Sequence, residues 1–132
     1  MRYVGKLDIS KLGKYSNKII TNEVVLTEER LYNHILIFHN KEYKEFKKYI
    51  KKIVEDPDII IEDNRHINTL IFLKELKSIK KKSRIVIKLA LGKDDEHSKN
   101  SIITMMKLNE RTWNQTIKNR GKIIWKKLDK YV

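Results

Sequence analysis

The chain has 132 residues, no cysteine, 40% hydrophobic residues and a formal net charge of +13. That length closes around one core, that apolar share argues against wholesale disorder, and the missing thiols exclude disulfides, thiolate metal sites and a cysteine nucleophile together. No apolar run approaches the ~18 residues of a membrane span and the N-terminus lacks a signal-peptide stretch, so one soluble domain made in the cytoplasm, with no membrane partner, is expected over residues 1–132.

Residues 1–22 mix short apolar pairs with Gly5, Gly13 and polar residues and show no sustained period. They read as an N-terminal arm with one short strand at Tyr3–Gly5, ahead of a core over 23–128. Glu23-Val-Val-Leu26 leads into Thr27-Glu-Glu-Arg30, a helix start in which Thr27 caps free N–H groups and the glutamates meet the positive end of the dipole. Leu26 and Leu31 form a hydrophobic staple, and the helix runs to about Phe38 with Leu31, Ile35 and Phe38 as its buried stripe. A second helix follows Asn40, with Tyr43, Phe46, Ile50 and Ile53 at helical spacing, and stops at Asp56-Pro57-Asp58.

From residue 59 the period becomes that of strands. Ile59–Glu62, Thr69–Leu76, Arg84–Leu91 and Ser101–Leu108 are strand-length and β-branched, separated by short polar turns with no intervening helix. The expectation is an antiparallel meander. Asn109 then caps a helix through Asn119, stapled by Leu108 and Trp113, and Lys122–Leu128 supplies a fifth strand at an edge. The fold class is α+β: N-terminal helices packed on a four- to five-stranded antiparallel sheet, with a short helix before the last strand.

Charge is blocked rather than uniform. Residues 1–18, 41–52, 74–88 and 107–132 carry +4, +4, +6 and +6, while 53–73 carry −4. Such blocks favour a positive face and an anionic partner, nucleic acid first. Lysine outnumbers arginine 24 to 6, although arginine is the better fork for phosphate. Lys44, Lys48, Arg84, Lys88, Lys107 and Trp113 are the candidate nucleic-acid contacts.

The chemistry narrows by elimination. His34 and His39 are five residues apart, about 140° around a regular helix, which is not the spacing of a zinc pair. No metal site and no cofactor is therefore expected. Four glycines give no phosphate cradle, and Asp94-Asp95-Glu96 reads as a solvated turn. What remains is Arg30 and His34, one helical turn apart beside the buried stripe. An imidazole next to a guanidinium suits phosphodiester chemistry, and RNA brings its own nucleophile in the 2′-hydroxyl. Alternation puts Ile85, Ile87, Leu89 and Leu91 on one face and Arg84, Val86, Lys88 and Ala90 on the other. Ser101 and Thr104 fall on opposite faces unless a bulge intervenes, and Lys74 is a lone cation in an apolar run.

Val25-Leu-Thr-Glu-Glu-Arg30, His34-Ile35, His39, Glu55-Asp-Pro-Asp-Ile59, Asn68-Thr69, Leu73-Lys74-Glu75, Arg84–Leu89, Asn100-Ser-Ile-Ile-Thr104 and the Trp113-to-Trp125 segment follow one another in an order that resembles the phage-type branch of the barnase–EndoU–colicin–RelE nuclease superfamily. The resemblance spans roughly residues 18–127. It implies a metal-independent endoribonuclease acting as a toxin or effector of phage or mobile-element origin. On this chain it marks His34, Arg30, Lys74, Ser101 and Thr104 as the catalytic set. His34 would be the acid or base, Arg30 and Lys74 would stabilise the phosphorane, and the two hydroxyls would bind phosphate. The partners implied are RNA (tRNA, mRNA or rRNA) and an acidic immunity or antitoxin protein. The competing reading is a non-catalytic basic module that binds nucleic acid without turnover.

Overall fold

The structure, a computed structural model, describes residues 2–128; Met1 and residues 129–132, part of the expected domain, lie outside the described residues. Its strands are β1 (Arg2–Lys6), β2 (Glu23–Leu26), β3 (Ile59–Asp63), β4 (Thr69–Leu76), β5 (Lys81–Lys88), β6 (Asn100–Leu108) and β7 (Gly121–Lys126). Helix α1 spans residues 28–38, α2 spans residues 40–55, and α3 is Glu110–Asn119. The strands form one sheet in the order β1-β2-β6-β5-β4-β3-β7.

The expected meander is present: β3 to β6 pair antiparallel in sequence order, and β7 adds to β3 as an edge strand. Strand β5 starts earlier than Arg84 because its hairpin closes over residues 77–80, where Lys80 takes a left-handed φ of 54°. The sheet itself differs from expectation, having seven strands and mixed pairing. Glu23–Leu26, read as a lead-in to the helix, is a strand that lies parallel to β6, Val24 beside Asn100 and Val25 beside Ser101. Backbone bonds from Ile20 to Ala90 and from Gly92 to Lys18 hold the junction, and one side chain completes it. Asn100 is fully buried; its Oδ1 accepts the Ala90 N–H at 2.8 Å, and its Nδ2 donates to the carbonyls of Thr21 and Glu23 at 2.8 and 2.9 Å.

The first 22 residues are not a loose arm. After β1 pairs with β2, two 3₁₀ turns (Ile9–Lys11 and Gly13–Asn17) carry Leu12 and Tyr15 into the main core. Gly13 has φ 56°, a turn that a side chain would strain. Lys14 pairs with Glu62 at 3.1 Å, and the Lys11 ammonium lies 4.4 Å from the centre of the Trp125 ring. The segment therefore runs across the sheet from the β1 edge to the β7 edge.

Both faces of the sheet are used. On the first, Leu31 and Ile35 of α1 and Phe46, Ile50, Ile53 and Val54 of α2 pack with Ile60, Leu70, Phe72, Ile85, Ile87, Ile102 and Met105. On the second, Trp113 and Ile117 of α3 rest on a smaller cluster of Ile59, Ile61, Ile71, Leu73, Val86 and Leu108. Asn109 caps α3 through a reciprocal bond with Thr112, and Leu108 and Trp113 pack as the expected staple.

Helix α1 begins as expected, with Thr27 Oγ1 accepting from the Arg30 N–H at 3.1 Å. Residues Leu31–Ile35 then widen into a π turn, the Leu36 N–H donating five residues back to Leu31. The wider turn rotates the last residues of the helix, and Phe38, expected in the buried stripe, is 67% exposed.

Lys74 is buried, its side chain 6% exposed. Its ammonium donates to the Asp56 carbonyl at 2.6 Å, at the C-terminal end of α2, and lies 3.4 and 3.6 Å from the Asp56 and Asp58 carboxylates. Lys127 approaches the same two acids at 3.1 and 4.0 Å. Burial pushes the Asp56 carboxyl up, but the hydrogen bond from Lys127 and the two ammonium charges outweigh it and hold Asp56 below its ordinary value.

Two substitutions test these ties. Asn100→Leu strands one buried N–H and two carbonyls and is expected to cost about 3 kcal/mol, read as a lower urea midpoint. Lys74→Met is expected to cost roughly 2 kcal/mol, less than the loss of a fully buried pair because the acids are partly exposed and keep Lys127. An unchanged midpoint in either variant removes that anchor from the account.

Candidate active site

The π turn alters the relation between the two helix histidines. A regular helix separates His34 and His39 by about 140°. Here the extra residue in the turn, and the break at His39 (φ −137°, ψ 37°), bring their rings to 5.8 Å between centroids. π turns recur at functional positions because they re-aim side chains at a stability cost. Phe38 stands 5.3 Å from the His34 ring, and Tyr32, Ile37 and Phe38 all project from this helix into solvent.

Burial lowers the His34 pKa below 6.5, and the nearby Arg30 and His39 lower it further, against a weaker opposing pull from Glu29. The imidazole is thus neutral near pH 7, able to accept a proton. His39 Nδ1 lies 3.8 Å from the Glu42 carboxylate, a partner able to orient its ring.

The turn lies against β6. That position follows from the topology: the β2 ladder ends at Ser101, β6 continues to Leu108, and α1 takes the place that β2 vacates. In β6 the register slips, because Val86 faces Thr104 while Ile87 faces Ile102, leaving Ile103 as a bulge. The bulge settles which way the hydroxyls face. Ile102 and Met105 both enter the main core, and Ser101 and Thr104 come to the second face together, opposite Lys88 and Val86. Ser101 and Lys88 line a shallow cleft with Ser98, Lys99 and Asp94. Thr104 Oγ1 is buried without a hydrogen-bond partner.

The remaining expected residues divide. Arg30 and His34 share α1, while Lys74 sits on β4 in the ion-pair cluster described above, two strands from β6. Lys44 and Lys48 are exposed on α2, and Lys88 and Lys107 are exposed on their strands. Trp113 is half-buried under α3 rather than free to stack. Arg84 is also held by α3: it donates to Thr116 Oγ1 at 3.1 Å and to the Met106 sulfur.

Sequence reasoning missed a second group beside Arg84. Asp63, at the end of β3, has a fully buried side chain that accepts from the Arg65 N–H at 2.8 Å and from His66 Nδ1 and Arg120 at 3.2 Å each. Burial pushes its carboxyl up, but these donors and the Arg120 charge hold it below its ordinary value. The signal available was slight, an Asp-Asn-Arg-His turn with an arginine far along the chain. Among the described residues no three His, Asp or Glu side chains gather as metal ligands.

The model of the family described as phage-Barnase-EndoU-ColicinE5/D-RelE like nuclease2 matches residues 2–126. No curated protein and no solved structure matches the chain. The family match takes in every element from β1 to β7, including the helix that carries both histidines and the strand that carries both hydroxyls. The match spans nearly the whole of this α+β domain, and the chain belongs to that family of nucleases.

Proposed function

We propose that the chain is an endoribonuclease that cuts RNA by internal attack, with its proton-transfer groups on α1. The observation that carries this reading is the π turn that sets the His34 and His39 rings 5.8 Å apart beside Arg30. Two imidazoles in different surroundings are the groups that such a cleavage needs.

Neutral His34 takes the proton of the 2′-hydroxyl as that oxygen attacks phosphorus. The bond to the 5′-oxygen breaks, and His39, oriented by Glu42, gives that oxygen a proton. The products are a 2′,3′-cyclic phosphate and a free 5′-hydroxyl. Arg30 faces the charge that develops on phosphorus. Ser101 and Thr104, on the face of the sheet opposite the one that α1 covers, take no part in this step. Lys74 stays outside this chemistry because its ammonium already holds the end of α2. The reading calls on no metal. A ribonuclease of this kind acts as an effector of phage or mobile-element origin, and a cell that makes it needs an acidic protein to neutralise it.

Incubation with total RNA in EDTA tests the reading. Cleavage should persist in the chelator and fall by roughly 10²–10⁴-fold in His34→Ala. Intact RNA, bound tightly and in a salt-sensitive way by both proteins, would instead make the chain a binding module. The pH profile adds a second check. The acid limb of kcat/KM should lie below 6.5, because His34 must be neutral to act, and Arg30→Gln should move it upward by removing one of the cations that lower the His34 pKa.

A further inference from the structure

We infer that the second face of the sheet holds a phosphate subsite, formed by Arg65, Arg84 and Arg120 beside the C-terminal end of α3, that grips an RNA phosphate remote from the bond being cut. The inference rests on the ribonuclease reading for its substrate and on separate residues for its geometry.

Arginine is scarce in this chain, six residues in all, and three of them come from neighbouring positions here: Arg84 bonded to Thr116 of α3, Arg120 at the end of α3 bonded to Asp63, and Arg65 in the turn whose backbone N–H bonds the same Asp63. They meet one carboxylate, that of Asp63, which is engaged by Arg120, His66 and the Arg65 backbone. The contrast with Lys74 and Lys127 is informative, because there two ammonium groups face two carboxylates. Around Asp63 the charges do not balance. The end of the α3 dipole and the Thr116 hydroxyl supply part of the deficit, about half a charge at most from the helix. Burial and the neighbouring Arg120 and Arg65 depress the Arg84 pKa, against a smaller opposing pull from Asp63.

Hydrogen bonding shows the same deficit. Among the described residues, the buried side-chain polar atoms without a partner are Arg84 Nε, Arg120 Nε and Thr104 Oγ1. All three belong to the second face. Arg84 alternates with Val86, Thr104 faces Val86 across the ladder, and Arg120 bonds to Asp63, which alternates with Ile59 and Ile61. One guanidinium N–H of Arg84 has only a thioether sulfur, a weak acceptor, in Met106. An anion of strong acceptor oxygens is what this set lacks.

The donors select its class. Guanidinium forks match phosphate oxygens in pairs, and phosphate is the repeating anion of the proposed substrate. The rim is open, since Arg65 is exposed and the His66 side chain is 68% exposed with Nδ1 turned to Asp63 and Nε2 left for solvent or ligand. Arg120, 13% exposed, forms the floor. The cluster lies on the face of the sheet opposite the one on which α1 packs, so this subsite and the α1 site address different phosphates of one strand.

The test uses the whole chain carrying His34→Ala, which leaves RNA uncut, and a ladder of single-stranded oligoribonucleotides of increasing length. Affinity should step up once a strand is long enough to bridge the two sites. Arg65→Gln and Arg84→Gln should each remove about tenfold of that step for long strands only and reduce the slope of log K against log salt by about 0.7. A ladder bound as by the parent overturns the subsite, and so does an equal loss for the shortest strands. Unchanged RNA binding with lost capture of an acidic protein would reassign the cluster to a protein partner. Should Arg84→Gln fail to fold, the exposed Arg65→Gln decides alone. A step in the His34→Ala chain, when the unsubstituted protein itself cuts no RNA, sinks the ribonuclease reading and keeps the subsite; cutting by the unsubstituted protein without a step in the variant does the reverse.

Discussion

Asn100 ties together three pieces of chain at the parallel pair of the sheet, beside the backbone bonds that join residues 18–20 to 90–92. A parallel pair cannot be closed by a hairpin, and β2 is short. Its place beside β6 depends on a buried amide that bonds Thr21 and Glu23 on one side and Ala90 on the other. With β2 placed, β1 can pair outside it, and the chain leaving β2 enters α1 alongside β6. The position of both histidines therefore draws on a residue outside the proposed chemistry.

The protein gives up packing at α1 for geometry. A regular helix would bury Phe38 and turn His39 away from His34. The π turn exposes Phe38, weakens the helix ladder and gathers two imidazoles on one side. The β6 bulge works in the same sense at the facing strand. One unpaired residue, Ile103, lets Ile102 and Met105 share the core while Ser101 and Thr104 share the opposite face. Each device inserts one residue into a periodic element and re-aims the side chains that follow it.

That economy explains what could be read from the sequence. The meander, the last edge strand, the α3 cap and the Leu108–Trp113 staple are local and periodic, so they were legible. The two faces of β5 were legible for the same reason. The parallel β2 was not, since Glu23–Leu26 is too short for a period and its partner lies 75 or more residues away in sequence. The π turn was invisible because Leu31 and Ile35 satisfy a regular helix equally well. Lys74 is instructive: a lone cation in an apolar strand marks a buried counter-charge, and the acids that answer it, Asp56 and Asp58, stand in plain view after α2 as a helix stop. The arginine cluster was hidden because its members come from a turn, a strand and a helix end.

The path of the first residues also bears on how the molecule comes into being. Leu12 and Tyr15 pack in the main core, while Gly13 and Lys11 rest against Ile124 and Trp125 near the other end of the chain. Contacts this distant in sequence form late, after the entropy of closing nearly the whole chain has been overcome. During folding the opening segment therefore completes its packing only once β7 is in place, so that the two edges of the sheet are closed by one stretch of chain.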